Sequence, residues 1–183
     1  MGGTGRWQVG SNELQSGAWT KYLTLETTDA VGTAIQAWND TAPTASVITL
    51  GTGGSCNSST DTFVAYAFHS VEGYSKVGSF VGNYNVDGTF INLSFRPAWF
   101  MWKRAIGSGG DDGGWAMMDN KRSPYNVVES NLYANTNDAE ETKNDIDFVS
   151  NGVKMRNTAM QGTSTTYLYL AFAKSPFKYA NAR

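Results

Sequence analysis

The chain has 183 residues, enough for one domain or two small joined units, and a formal charge of −2 with a pI near 5.3. That charge offers no basic field for phosphate, which excludes nucleic acid as an expected partner. No stretch reaches the roughly 20 apolar residues of a spanning helix, and MGGTGRWQVG lacks the charged-then-apolar order of a signal peptide, so neither membrane insertion nor the usual export route is expected.

Charged residues make up 16% of the chain, and its polarity comes instead from Ser, Thr, Asn and Gly, a profile of strands and turns. Taken in chain order, aromatic and β-branched residues mark nine predicted strands, at 21–27, 46–50, 62–69, 89–95, 99–104, 114–118, 145–150, 152–156 and 166–173. Asp87-Gly88, the glycines of 107–114 and Asn151-Gly152 lie between them and supply the positive φ that tight hairpins need, so the strands are expected to pair antiparallel. Helix is expected at most as short pieces around 28–38 and 137–143, the latter where Asp138 precedes an acidic first turn, and each is read as a single turn or a loop. The single cysteine, Cys56, has no intrachain disulfide partner, and with no His or Lys nearby it reads as an inert loop thiol.

Self-comparison reveals a duplication. The GRW that ends at Trp7 matches the GGW that ends at Trp115, a shift of 108 residues. YLTLETTDA, ending at Ala30, matches NLYANTNDA, ending at Ala139, and TFVAYAF from Thr62 matches TYLYLAF from Thr166. Ahead of Trp115 stands FINLSFRPAWFMWKR, two strands split at Arg96-Pro97, whereas Trp7 has six residues before it. The organisation expected is an incomplete first β unit over 1–85 and a second over 86–183, separate or packed as one continuous domain. An open edge on the first unit is expected to be covered by another strand or to promote association.

The run FVAYAFHSVEGYSKVGSFVGN from Phe63, then Asp87-Gly88, FRPAWFMWKR, NKRSPYN, DFVSNGVKMRN from Asp147 and the closing TYLYLAFAKSPFKYANAR carry a resemblance over nearly the whole chain. WNDTAPT at Trp38 belongs to the same set. Together they resemble a domain of unknown function widespread in tailed phages of marine bacteria, cyanophages and pelagiphages above all. The resemblance implies a lectin-like β-sandwich of concanavalin or SPRY appearance in tail, tail-fibre or other virion structural proteins. It carries no catalytic residues, and the truncated first unit departs from it.

Site chemistry is sparse. The one histidine, His69, has no nucleophile-elbow or Cys partner, which leaves a structural or surface imidazole and excludes a His-based zinc site within one chain. A polysaccharide-cleaving phage surface protein uses two carboxylates roughly 5 to 10 Å apart. Asp145 and Asp147, two apart on a strand, share a face and are the only pair geometry favours, but solvated or backbone-capping carboxylates are the plainer reading beside an Asn-Gly turn. Asp111 and Asp112, in a glycine-rich loop, are candidate calcium ligands, set against a simple hairpin; no other cofactor is expected. Among the rings, Trp99 and Trp102 read as core, Trp7 and Trp115 as equivalent positions in core or binding surface, and Tyr74, between Gly73 and Ser75, as exposed.

The reading is an all-β, antiparallel β-sandwich or jelly roll of two related units, and no enzyme. Its expected place is the virion, as a tail or tail-fibre protein that contacts other virion proteins, forms a homo-oligomer (a trimer first) and holds host-surface glycans through Tyr74, Trp115, Asp111 and Asp112. Avidity among copies compensates for feeble single sites. A purely architectural capsid-decoration or collar protein is the alternative, and a polysaccharide depolymerase the lesser rival.

Overall fold

The structure, a computed structural model, describes residues 5–14, 19–107, 113–158 and 162–175. It is all-β and antiparallel, with two compact units, Met1–Ala67 and Phe68–Arg183. The 85/86 boundary expected from sequence falls inside the sheet of the second unit, between two of its strands.

In the first unit β1 (Gln8–Val9), β2 (Lys21–Thr24) and β3 (Gly32–Thr33) form one small sheet in that order, followed by the short helices α1 (Ile35–Trp38) and α2 (Gly54–Asn57). Its core is an edge-to-face pair, Trp19 on Trp38, with ring centres 5.5 Å apart, packed with Ala37 and Tyr22. Each indole N–H has a partner: Trp19 donates to Asn12 Oδ1 and Trp38 to the Lys21 carbonyl. Gly10 lets the rings close over the backbone, because a Cβ there would lie 2.3 Å from Trp19. The strand expected at 46–50 is irregular chain. The strand expected at 62–69 is likewise irregular, and residues 62–67 are exposed, without a sheet partner among the described residues.

The second unit is a single eight-stranded sheet. Its strands are β4 (Ser75–Val81), β5 (Phe90–Asn92), β6 (Pro97–Ile106), β7 (Ala116–Asp119), β8 (Val128–Tyr133), β9 (Glu141–Val149), β10 (Gly152–Met155) and β11 (Thr166–Ala173). The order is β4-β11-β6-β7-β8-β9-β10-β5, which curls until the two end strands meet. There the junction is made by side chains: Thr89 Oγ1 donates to the Val81 carbonyl at 2.7 Å and Lys76 Nζ to the Asn92 carbonyl at 2.8 Å. Ser70 Oγ also takes the Val77 amide and donates to the Val77 carbonyl, occupying ladder positions on β4. Period-two alternation turns Phe100 and Trp102 of β6, Ile146 and Phe148 of β9 and Tyr167, Tyr169 and Ala171 of β11 into one buried interior with Met118, Val128, Val153 and Met155. Burying each large side chain contributes about 1.5–3 kcal/mol. Of the turn or loop expected around 137–143, the chain forms the loop, irregular up to β9, because Asn131 pairs with Glu141 and Ser130 with Thr142 across the β8–β9 ladder.

The duplication extends to hydrogen-bond register. Gln8 faces Thr24 and Val9 faces Leu23, as Ala116 faces Tyr133 and Met117 faces Leu132. Lys21 faces Thr33 and Tyr22 faces Gly32, as Ser130 faces Thr142 and Asn131 faces Glu141. Even the flanking bonds repeat: the Leu25 amide donates to the Trp7 carbonyl as Ala134 does to Trp115, and the Trp7 amide reaches Glu26 Oε2 as the Trp115 amide reaches Asn135 Oδ1. β1, β2 and β3 are thus the counterparts of β7, β8 and the start of β9.

Candidate functional site

The alternation that sends Tyr169 and Ala171 inward sends Phe172 to the opposite face of β11. There Phe172 gathers three further rings. Trp99, its cross-strand partner on β6, lies 5.7 Å away, and Phe68 and Tyr74 each meet it edge-on at 6.0 Å. Tyr74 is presented by a tight turn in which Gly73 takes φ 70°, the Tyr74 and Ser75 amides both donate to the Val71 carbonyl, and the Ala173 amide donates to the Tyr74 carbonyl. Phe68 is 55% and Tyr74 40% exposed, so half of the cluster is open to solvent.

Beside that turn lies an open, mostly apolar cleft of about 260 Å³ where Val71, Leu93 and Phe95 stand with Ser70, Glu72 and Lys76. Flat apolar rings next to hydroxyls, one carboxylate and one ammonium suit a ligand with both an apolar face and hydroxyl edges, such as a saccharide, held shallowly. Trp99 therefore sits on this outer face, half-buried, rather than in the core where the sequence placed it, whereas Trp102 is fully buried inside. Phe172 and Phe68 went unnoticed as site residues. The period-two rule applied to 166–173 separates Phe172 from the inward tyrosines, which is the signal that marks it.

Of the residues singled out in the sequence, Tyr74 joins this cluster. Trp115 does not: it is 3% exposed, and the Lys103 ammonium stands over its ring at 5.7 Å, so its faces offer no platform to a sugar. Asp111 and Asp112 lie outside the described residues, and among the described residues no group of three or more His, Cys, Asp and Glu side chains is placed to hold a metal. Cys56 is buried, its thiol turned to the carbonyls of Gln36, Ala37 and Gly53, and burial pushes its pKa up, the opposite of activation. His69 is exposed, with Nδ1 3.1 Å from the Ser70 carbonyl.

Asp145 and Asp147 lie on the face of β9 opposite Ile146 and Phe148, as their spacing requires. Asp145 is fully buried. Asn157 Nδ2 donates to its Oδ1 at 2.8 Å, whereas Oδ2 has no hydrogen-bond partner among the described residues. Burial dominates and raises its pKa to about 6, against the lowering effects of Asn157 and Lys143. Asp147 approaches Arg156 at 3.5 Å. Asp145 has the raised pKa of a general acid, but it is closed to solvent and no cleft among those described opens onto it.

A search among curated proteins and another among solved structures matched nothing. One family model matches residues 2–176, nearly the whole chain and both β units. The chain belongs to that family, a domain of unknown function (DUF7483).

Proposed function

We propose that this domain is a non-enzymatic structural module of a phage virion, carried in the tail or a tail fibre, that contacts host-surface glycans weakly and in many copies. The observation that carries the adhesive part is the half-exposed ring cluster of Phe68, Tyr74, Trp99 and Phe172 beside an open, mostly apolar cleft with serine and lysine side chains in its lining. The virion setting rests on the sequence resemblance to phage tail and fibre domains. A single shallow platform binds at millimolar levels, and display of several copies raises the effective affinity by about 10²–10⁴.

A homo-oligomer, with a trimer as the first expectation, fits that avidity. Tracing this chain in cryo-electron microscopy density of purified particles tests the placement. Distal density with Phe68 and Tyr74 facing outward is the expected result, and density with both rings buried among capsid or collar subunits overturns the adhesive reading in favour of the architectural one. The architectural reading draws its own support from the exposed apolar run at 62–67, which has no sheet partner among the described residues. A depolymerase is disfavoured by the closed surroundings of Asp145; sugar release that vanishes in Asp145→Asn and Asp147→Asn would reinstate it.

A further inference from the structure

In the second unit β11 lies between β4 and β6, and β6 in turn pairs with β7. The first unit holds the counterpart of β7, which is β1, and by sequence all but the last residue of the counterpart of β11, TFVAYA at 62–67. Among the described residues it holds no counterpart of β4 or β6. The consequence is visible residue by residue. Tyr167 and Leu168 are 0% and 6% exposed, while their counterparts Phe63 and Val64 are 42% and 63% exposed, and Tyr66 is 71% exposed where its counterpart Leu170 is half-buried. Successive apolar side chains left exposed along a run that matches a central strand in sequence, with no ladder partner among the described residues, are the pattern of a strand whose neighbours are missing.

The second unit also displays what the missing neighbour must carry. Lys103 of β6 is fully buried, donating to the Gly113 carbonyl and capping Trp115. The matching seat in the first unit, Gly5 and Trp7, is open: Trp7 is 50% exposed, its only ring contact among the described residues being Tyr66 at 6.2 Å. Where Asn135 accepts from the Trp115 amide, Glu26 accepts from the Trp7 amide, so an acidic side chain stands in place of an amide one beside that ring. A cation there meets an acidic group that the second unit lacks.

We propose that the first unit is a strand acceptor: residues 62–67 and the free edge of β1 are completed by a β4–β6-type set of strands from another polypeptide segment, bearing a lysine or arginine at the place of Lys103. The occupant is not the β4–β6 set of a second identical chain, because that set already fills its own sheet. The segment enters by β-augmentation, backbone pairing giving affinity and alternate aromatic side chains giving specificity. This inference stands apart from saccharide binding, and its test leaves that reading untouched.

The test supplies the strands in cis. A copy of residues 70–108 joined directly ahead of Met1 reproduces, before Trp7, the spacing that the second unit has before Trp115. Amide hydrogen exchange of residues 63–67 is then compared between the chain and the fusion. The expected result is fast exchange in the chain and slowing by about 100-fold or more in the fusion, with the Trp7 indole shielded from acrylamide. A second fusion, with Phe and Trp at the places of Phe100 and Trp102 changed to Asp in the added copy alone, should lose the protection while the second unit stays folded. Unchanged exchange in the folded first fusion overturns the proposal. So does protection already present in the chain alone, whether independent of concentration, which places the partner within the chain, or dependent on it, which makes a second copy the occupant.

Discussion

The Lys103 ammonium stands 5.7 Å from the centre of the Trp115 ring with no exposure to solvent, held by the Gly113 carbonyl. A buried cation is tolerated only where its donors are used, and its loss leaves a cavity and an orphaned acceptor. Lys103→Ala is expected to destabilise the second unit by about 3 kcal/mol, measured by urea unfolding, with Trp115 emission shifting to the red. A midpoint and emission unchanged from the parent would show that the seat contributes nothing.

Asp145 yields a pH dependence whose sign follows from its shift. Its pKa in the folded chain, about 6, lies above its ordinary value of 3.8, so between those values the folded state holds more protons than the unfolded one. Stability from this group is therefore full below about pH 4 and is lost as pH rises through 6, on the order of 2–3 kcal/mol in all. Asp145→Asn keeps an acceptor for Asn157 and should flatten the unfolding free energy over that window relative to the parent. A parent curve that is already flat contradicts the buried, protonated carboxyl.

Gly152 opens β10 where β9, β10 and β5 come together, and a Cβ there would lie 2.0 Å from the Ile91 carbonyl oxygen. Backbone cannot swing aside as a side-chain tip does. Gly152→Ala is expected to separate β5 from β10 and cost about 2–3 kcal/mol, with faster amide exchange at Ile91 and Asn92. Wild-type exchange at both positions would rule this out.

Tyr74→Ala tests the ring cluster without touching the core. It removes a 40%-exposed ring from Phe172, so the melting temperature should move little, while binding to multivalent saccharide displays falls about tenfold, the equivalent of 1.4 kcal/mol. Phe68→Ala should act alike. Equal saccharide binding by parent and variants assigns the cluster to another role.

The strongly alternating or apolar strands were legible in the sequence: β6 with Phe100 and Trp102, β10 beside its Asn-Gly turn, and β11 with its run of tyrosines. β4 was not. Ser75, Gly78 and Ser79 give it little strand character, and Gly78 is there because the Tyr169 hydroxyl occupies the space of a Cβ, 2.4 Å away, a cross-strand fact no local window contains. β8 hid behind Glu129, Ser130 and Asn131, polar residues drawn into a ladder by their neighbours. The capping signature at Asp138 lost to the same ladder, tertiary pairing overriding local propensity. In the ring cluster, the Gly73 and Ser75 flanks betrayed Tyr74, but its contact with Phe172 joins residues almost a hundred positions apart. Trp115 and Trp7 were rightly matched as equivalents, yet their opposite burial depends on a lysine strand that only one of them has beside it.

The side-chain latch between β4 and β5 gives the second unit one wall softer than the others. Seven backbone ladders resist any increase in girth, whereas the Thr89 and Lys76 bonds can lengthen or exchange with water one at a time. An added methylene in the interior is thus absorbed near Phe80 and Ile91, beside the latch, and resisted near Met118 and Val128, across the barrel from it. Divergence among interiors of this architecture should then be lopsided, with residue volumes drifting along the latch and staying constant on the far wall.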